Sequence, residues 1–264
     1  MSWTADMALA WTERALALAL LLQTIELLQI RRVYADDGVW RWADLAPEHQ
    51  HLPAPLRWLF AALLPYRAFV GLLVVRIACV TLLLTLRLPA ALPILLVSQV
   101  AICVRFRGTF NGGSDYMTVL ILLGATLASV AGSSPLAPVL TTAALAYIAV
   151  QTTLSYFIAG IAKLRQPDWR SGAALLGFVT SDQFGAPRWS QQLLGTAARA
   201  RILSWGVIAF ECLFPLAWLG PTVGLPVLAL GLCFHLANAI VFGLNRFLFA
   251  WAAAYPAMLY MSAR

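Results

Sequence analysis

Lys163 is the residue whose type and position point most directly to chemistry. It lies at the end of the apolar run from Tyr156 to Leu164, and ionisable side chains in such runs are costly and usually functional. At 100° of rotation per residue, Thr152, Tyr156 and Lys163 share one side of a helix. A partly desolvated lysine releases its proton more readily than one in water, so its amine would act as a base. The alternative is that Lys163 extends to the headgroups at the membrane surface.

His235 is the second residue with an unusual setting, in the middle of a later apolar run. With Asn238, Phe242 and Asn245 it forms a stripe at spacings i, i+3, i+7 and i+10, which is one face of a helix. Polar groups on such a face either line a cavity or hydrogen-bond to neighbouring helices, and the spacing leaves both interpretations open. No metal-ligand spacing surrounds His235, so we expect no metal there.

Two carboxylates, Glu26 and Glu211, also lie within apolar sequence. A buried carboxylate needs a cationic partner or a proton. Arg76 and Lys163 are the partners that we consider, and the sequence leaves the pairing open. The segment 111–115, Asn-Gly-Gly-Ser-Asp, predicts a turn that opens a helix, and it lacks the GxxxxGK[ST] pattern of a phosphate-binding loop.

The elements that position these residues are those of a membrane protein. Of the 264 residues, 61% are hydrophobic and 11% are charged, and the mean hydropathy is +0.81. Soluble domains have about 25% charged residues. A chain so poor in charge could not cover its surface against water, so we expect lipid to be its solvent.

Apolar runs mark the membrane-spanning helices, which need roughly 20 residues each. Seven runs approach that length and an eighth is shorter and carries two prolines; they cover 13–33, 68–86, 88–105, 115–132, 136–163, 201–219, 222–243 and 245–262. They do not alternate with period two, as barrel strands do. We predict an all-α, polytopic transmembrane bundle of about eight spans, forming a single domain over residues 1–264.

The basic residues are distributed unevenly across these spans. Fourteen fall on one face, three on the other and Arg76 within a span; the fourteen are Arg31, Arg32, Arg41, Arg57, Arg67, Arg105, Arg107, Lys163, Arg165, Arg170, Arg188, Arg199, Arg201 and Arg246. The positive-inside rule places the richer face in the cytoplasm. We expect a multi-pass protein of a bacterial inner or plasma membrane. Scattered charges in short loops argue against nucleic-acid binding.

Two segments outside the spans, roughly 34–66 and 164–200, are rich in tryptophan, which prefers the headgroup level. We predict that both lie along the membrane surface. In the second, Asp168 is expected to cap a short helix that runs from Trp169 to Phe178.

Several of these segments, taken in order, resemble the HTTM (horizontally transferred transmembrane) domain, the membrane domain shared with vitamin K-dependent γ-carboxylases. The matching pieces are Tyr34–Gly38, Asn111–Gly113, Tyr156–Leu164 followed by Asp168-Trp169 and Gly172, and Phe234-His235 with the final spans. The most specific piece is the Tyr-Phe-x-Ala-Gly-x-x-Lys-Leu run.

The resemblance implies a chemistry for the site. In the carboxylases, a lysine in this run acts as a base on reduced vitamin K, and reaction with oxygen yields an epoxide and a strongly basic intermediate. The matching lysine here is Lys163, and the family's later histidine matches His235. We therefore assign both to catalysis with a reduced vitamin K-type naphthoquinone, and we assign to substrate contact the residues Tyr156, Trp169, Asn238, Glu211 and Asn111.

Departures from the carboxylases argue against full carboxylation. A lysine pair is replaced by Ala162-Lys163, the histidine linked to CO2 addition is replaced by Gly113, and the chain ends at residue 264 without the large region that holds protein substrates. Carboxylase chemistry is also lumenal, whereas the charge count places Lys163 near the cytoplasm. Two hypotheses follow: a membrane enzyme acting on a lipid-soluble quinol, or a non-catalytic membrane partner that assists maturation or export of a peptide or anchors a redox protein.

Overall fold

The apolar runs fold as helices. The computed structural model describes residues 3–107, 112–130, 132, 134–182 and 186–264. The α-helices in these ranges are α1 (Ala5–Gln29), α2 (Trp42–Leu45), α3 (Ala54–Leu63), α4 (Tyr66–Leu86), α5 (Ala91–Phe106), α6 (Gly112–Val130), α7 (Ala137–Arg165), α8 (Pro167–Ser171), α9 (Ala173–Thr180), α10 (Arg188–Leu194), α11 (Ala197–Leu213), α12 (Pro221–Phe242) and α13 (Asn245–Ser262). The predicted all-α fold is confirmed.

Six of the described helices are long and apolar enough to cross a membrane, namely α1, α4, α6, α7, α11 with the turn that follows it, and α12. The apolar helix α5 and the final helix α13 correspond to the two remaining predicted spans. The prediction of about eight spans is therefore consistent with the fold.

Local signals in the sequence set several helix ends. The side chain of Thr4 accepts a hydrogen bond from the Met7 amide and caps α1. At the other end of α12, Gly243 adopts a left-handed conformation with φ of 69°, which glycine tolerates and which ends the helix. The predicted polar stripe is therefore wrong in its last member, because Asn245 begins α13 and does not lie on the face of α12.

The largest core lies around α13, which packs against α1, α6, α7 and α12. Buried side chains from these helices fill it, among them Leu16, Leu20, Ile148 and Ala254. Because α7, α12 and α13 meet here, side chains from all three can face one interior space.

A second, smaller core fixes the first segment outside the spans. Tyr34 packs edge-on against Phe69 and Phe106, with ring centroids 5.4 and 5.7 Å apart. Arg105 is fully buried beside them and donates hydrogen bonds to the carbonyl oxygens of Tyr34 and Trp40 at 3.2 and 2.7 Å. The Tyr34–Gly38 motif is thus held by an arginine at the end of α5.

In the second segment outside the spans, two short helices, α8 and α9, replace the single helix predicted from Trp169 to Phe178. Gln166, and not Asp168, occupies the cap position of α8. Gly172 has φ of 85° and separates α8 from α9. The sequence prediction of a single helix from Trp169 is wrong because this left-handed residue breaks it.

Two of the arginines assigned to basic loops are buried. Arg105 has no exposed surface and Arg246 is 7% exposed. Both carry their charge inside the protein, where it bonds to carbonyl oxygens or to a carboxylate. The charge asymmetry of the free loops is therefore smaller than the sequence count suggests.

Candidate functional site: a cavity at Lys163

A cavity of about 470 Å³ lies among α7, α8, α9, α11, α12 and α13. We call it the Lys163 cavity. Six of the seven predicted site residues line it, namely Lys163, His235, Tyr156, Trp169, Asn238 and Glu211. Asn111, the seventh, lies outside the described residues. The structure thus brings together side chains that are up to 82 positions apart in the sequence.

Lys163 is paired with Glu211 at this cavity. The Lys163 ammonium donates to both carboxylate oxygens of Glu211, at 2.8 and 2.7 Å. The two side chains are 19% and 5% exposed, and the Lys163 Nζ lies 5.2 Å from the centre of the Trp169 ring. In this position the charge of Lys163 is compensated by a carboxylate inside the protein.

A glycine lets the two helices of this ion pair approach each other. A Cβ atom added at Gly160 of α7 would lie 2.7 Å from the backbone nitrogen of Cys212 on α11. Any larger residue would push α11, and with it Glu211, away from α7. The glycine of the Tyr156–Leu164 run therefore positions the carboxylate that pairs with Lys163.

His235 is held from behind by two tyrosines. Its Nε2 is 2.6 Å from the hydroxyl of Tyr156, which in turn is 2.7 Å from the hydroxyl of Tyr255. His235 is 3% exposed, and its Nδ1 has no hydrogen-bond partner among the residues that the structure describes. A Cβ atom at Gly231 would collide with the Tyr255 hydroxyl, so this glycine makes room for the hydrogen bonds between Tyr255, Tyr156 and His235.

Flat aromatic rings form one wall of the Lys163 cavity. Phe247 and Trp251 are stacked with centroids 5.2 Å apart and an interplanar angle of 5°. The His235 ring lies 4.9 Å from Trp251. A flat, apolar ligand that bears a few polar atoms matches such a wall.

Asn238 contributes less polarity than the sequence suggested. Its amide nitrogen donates to the carbonyl oxygen of Phe234 within the same helix, at 2.9 Å. Of the predicted stripe on α12, only His235, Asn238 and Phe242 line the cavity.

Gly113 packs beside one residue of the cavity wall. A Cβ atom at this position would lie 3.1 Å from the ring of Phe247, which lines the cavity. A side chain at position 113 would require that ring to shift by a few tenths of an ångström.

The other carboxylate in an apolar run has a partner that sequence reasoning missed. Glu26 accepts a hydrogen bond from Arg246 at 2.5 Å. Arg76 instead donates to neutral side chains, including Gln23 at 2.5 Å and Gln99 at 2.6 Å. The pairing of Arg76 with a glutamate, one of the sequence alternatives, is therefore wrong.

The residues of α13 were not predicted as part of the site. Phe247, Trp251 and Tyr255 are spaced four positions apart, so they share one face of this helix. This four-residue spacing of aromatic side chains was the signal in the sequence that could have identified the face. Phe247 and Trp251 line the cavity, and Tyr255 contacts Tyr156 behind it.

The fold and the site define a multi-pass membrane protein in which a lysine–carboxylate pair and a histidine line one largely apolar cavity. The family model described as the HTTM domain matches residues 129–263, just over half of the chain. The chain belongs to the HTTM family. All six described site residues fall in the matched range, whereas Gly113 and the Tyr34–Gly38 motif precede it. No curated protein and no solved structure matches the chain.

Proposed function

We propose that this HTTM protein binds a lipid-soluble quinol in the Lys163 cavity and promotes its oxygenation, with Lys163 as the base. The observation that carries the proposal is the meeting of Lys163 and His235 on the wall of one apolar cavity. Its volume of about 470 Å³ lies within the usual range of small-molecule sites, roughly 300–1,000 Å³. An isoprenoid quinol has a flat ring, two hydroxyl groups and an apolar tail, which suits these surroundings.

The choice of lysine at position 163 supports a role in proton transfer. Lys163 is the only lysine among the 18 basic residues of the chain, and the other 17 are arginines. A guanidinium stays protonated in proteins, whereas an ammonium can release its proton and act as a base. Among the lysine and arginine side chains, the only one able to do this lies in the cavity.

Glu211 supplies the environment that a base requires. Its Oε2 lies 2.7 Å from the Lys163 Nζ and holds that nitrogen at the cavity. The Glu211 carboxylate can also take the ammonium proton. The N–H bond of Lys163 then breaks and an O–H bond of Glu211 forms. The free amine removes a proton from a quinol hydroxyl, whose acidity is similar to that of a phenol, with a pKa of about 10.

A reduced naphthoquinone would supply the oxidisable ring that reacts with oxygen. The rest of the chemistry falls to the chain: His235 contacts the ligand, the aromatic wall orients its ring, and the apolar lining excludes water. We do not extend the proposal to carboxylation, because glycine stands at position 113, where by the resemblance the carboxylases carry the histidine linked to CO2 addition.

The direct test uses purified protein in lipid nanodiscs with reduced vitamin K1 and oxygen. Liquid chromatography with mass spectrometry should detect the quinone epoxide. The matched control is Lys163→Arg, which keeps a cation beside Glu211 and cannot act as a base. Equal epoxide in both proteins would remove Lys163 from the mechanism.

The epoxide assay also distinguishes the quinol proposal from the alternative function. A non-catalytic membrane partner should form no epoxide and should co-purify with a specific protein in a fixed ratio. Mass spectrometry of the co-purified lipids adds an independent readout, since a bound quinone favours the quinol proposal.

A further inference from the structure

The hydrogen-bond chain behind His235 contains information about its protonation. Three groups share two hydrogen bonds: Tyr255 with Tyr156, and Tyr156 with the Nε2 of His235. Each tyrosine has one hydroxyl proton to donate, and a neutral imidazole has one N–H. The direction of donation therefore decides which ring nitrogen carries the proton.

The two directions leave different donors without a partner. If Tyr255 donates to Tyr156 and Tyr156 donates to Nε2, both hydroxyl protons are used, and the remaining donor is the Nδ1–H of a side chain that lines the cavity, where a ligand can accept it. In the reverse direction Nε2 donates to Tyr156 and Tyr156 to Tyr255, and the proton of the Tyr255 hydroxyl has no acceptor. Tyr255 is 8% exposed and, among the described residues, is not one of those that line the cavity. A ligand in the cavity could not accept its proton, and a buried donor without an acceptor is costly.

The surroundings of His235 favour the neutral ring. Phe234, Phe247 and Trp251 are its ring neighbours, and no ion pair joins His235 in the described part of the chain. The carboxylate of Glu211 lines the same cavity, but it is bonded through both oxygens to Lys163. An imidazolium would therefore be a buried, uncompensated charge.

We infer that His235 carries its proton on Nδ1 and that this N–H binds an acceptor oxygen of the cavity ligand, with Tyr156 as the residue that positions the imidazole. The Nδ1 atom is buried and has no partner in the described part of the chain, and its side chain lines the cavity. The ligand end that it fits is a carbonyl or an oxyanion. The identification of that oxygen as part of a quinone or quinolate rests on the proposed function.

This assignment gives the two ends of a quinol different roles. A group that only donates at Nδ1 cannot remove a proton from the ligand. It stabilises negative charge on an oxygen instead, whereas Lys163 takes the proton. His235 is thus a hydrogen-bond donor to the ligand and not a second base.

The first arm of the test measures the ring proton without any ligand or turnover. A variant with His49 and His51 replaced by glutamine leaves His235 as the sole histidine. With 15N-labelled histidine, NMR distinguishes a protonated from an unprotonated ring nitrogen. We expect a protonated Nδ1 and an unprotonated Nε2 at pH 8, and the opposite assignment overturns the inference.

Two tyrosine variants test the role of the chain. Tyr156→Phe removes the donor to Nε2, so the preference for the Nδ1 proton should be lost. Tyr255→Phe is the matched control: it removes a hydroxyl next to the first but leaves Tyr156 free to donate, so the assignment should be retained. A loss in both variants, or in neither, contradicts the role of Tyr156. The measurement on the sole-histidine protein decides the proton position even if a tyrosine variant does not fold.

The second arm examines the ligand, with vitamin K1 in its oxidised form as the probe. Infrared difference spectra should show one carbonyl stretch shifted to lower frequency in the protein and unshifted in His235→Phe. No shift in the protein would overturn the binding role of Nδ1. If the ring proton is on Nδ1 and the carbonyl shifts, but no epoxide forms from the quinol, the proposed function fails alone.

Discussion

Replacement of Lys163 separates its charge from its basicity. Lys163→Arg retains a cation that can bond to both oxygens of Glu211, as Lys163 does. Lys163→Met retains the length of the side chain and removes the charge. The two variants therefore differ in stability, while both lack a base.

The structure gives a magnitude for each effect. General-base catalysis contributes about 10²–10⁴-fold to a rate, so both variants should lose epoxide formation by about that factor. The Glu211 side chain is 5% exposed, and removing one partner of a buried pair costs about 3–5 kcal/mol. Lys163→Met should therefore lower the free energy of unfolding by about 3 kcal/mol, whereas Lys163→Arg, which keeps a cation beside Glu211, should lower it by less.

Two assays check these values. Epoxide is quantified per mole of protein in nanodiscs, and unfolding is followed by tryptophan fluorescence in mixed micelles with increasing denaturant. An arginine variant that keeps more than a tenth of the activity would refute the role of Lys163 as a base. A methionine variant as stable as the parent would show that the ion pair does not form.

Three further predictions concern the framework of the site. Gly160→Val should separate α7 from α11 at Cys212, lower stability by about 2 kcal/mol and reduce epoxide formation; equal melting temperatures of variant and parent would contradict the close approach. Arg246→Met should cost about 3 kcal/mol, the low end of the range for buried pairs because the Glu26 side chain keeps 29% exposure, and denaturant unfolding measures it. Arg105→Met should free the first segment outside the spans and increase its cleavage by trypsin in mixed micelles, whereas an unchanged cleavage rate would refute the anchoring role.

Much of the fold follows from the sequence because lipid imposes a simple rule. Apolar runs of membrane-spanning length become helices, and the predicted runs correspond to the long helices of the structure. Lys163 and His235 stood out because polar groups in such runs are costly. Both side chains line one cavity. Of the two interpretations of the polar stripe at His235, this position agrees with a cavity wall.

The pairing of charges could not be predicted, because it depends on which helices are neighbours. Glu211 meets Lys163 since Gly160 brings α11 against α7, and Glu26 meets Arg246 since α1 packs along α13. Both contacts join residues far apart in the chain. The spacing of polar residues along one helix contains no information about the helix opposite.

If the Lys163 cavity binds a quinone, the bound ring lies beside the only lysine of the chain. The most direct measurement is the rate at which a small amine-reactive ester modifies Lys163, followed by peptide mass spectrometry with and without vitamin K1. We expect a saturable decrease in that rate, with no change at the α-amino group, which serves as the internal reference. An unchanged rate at saturating vitamin K1 would contradict it.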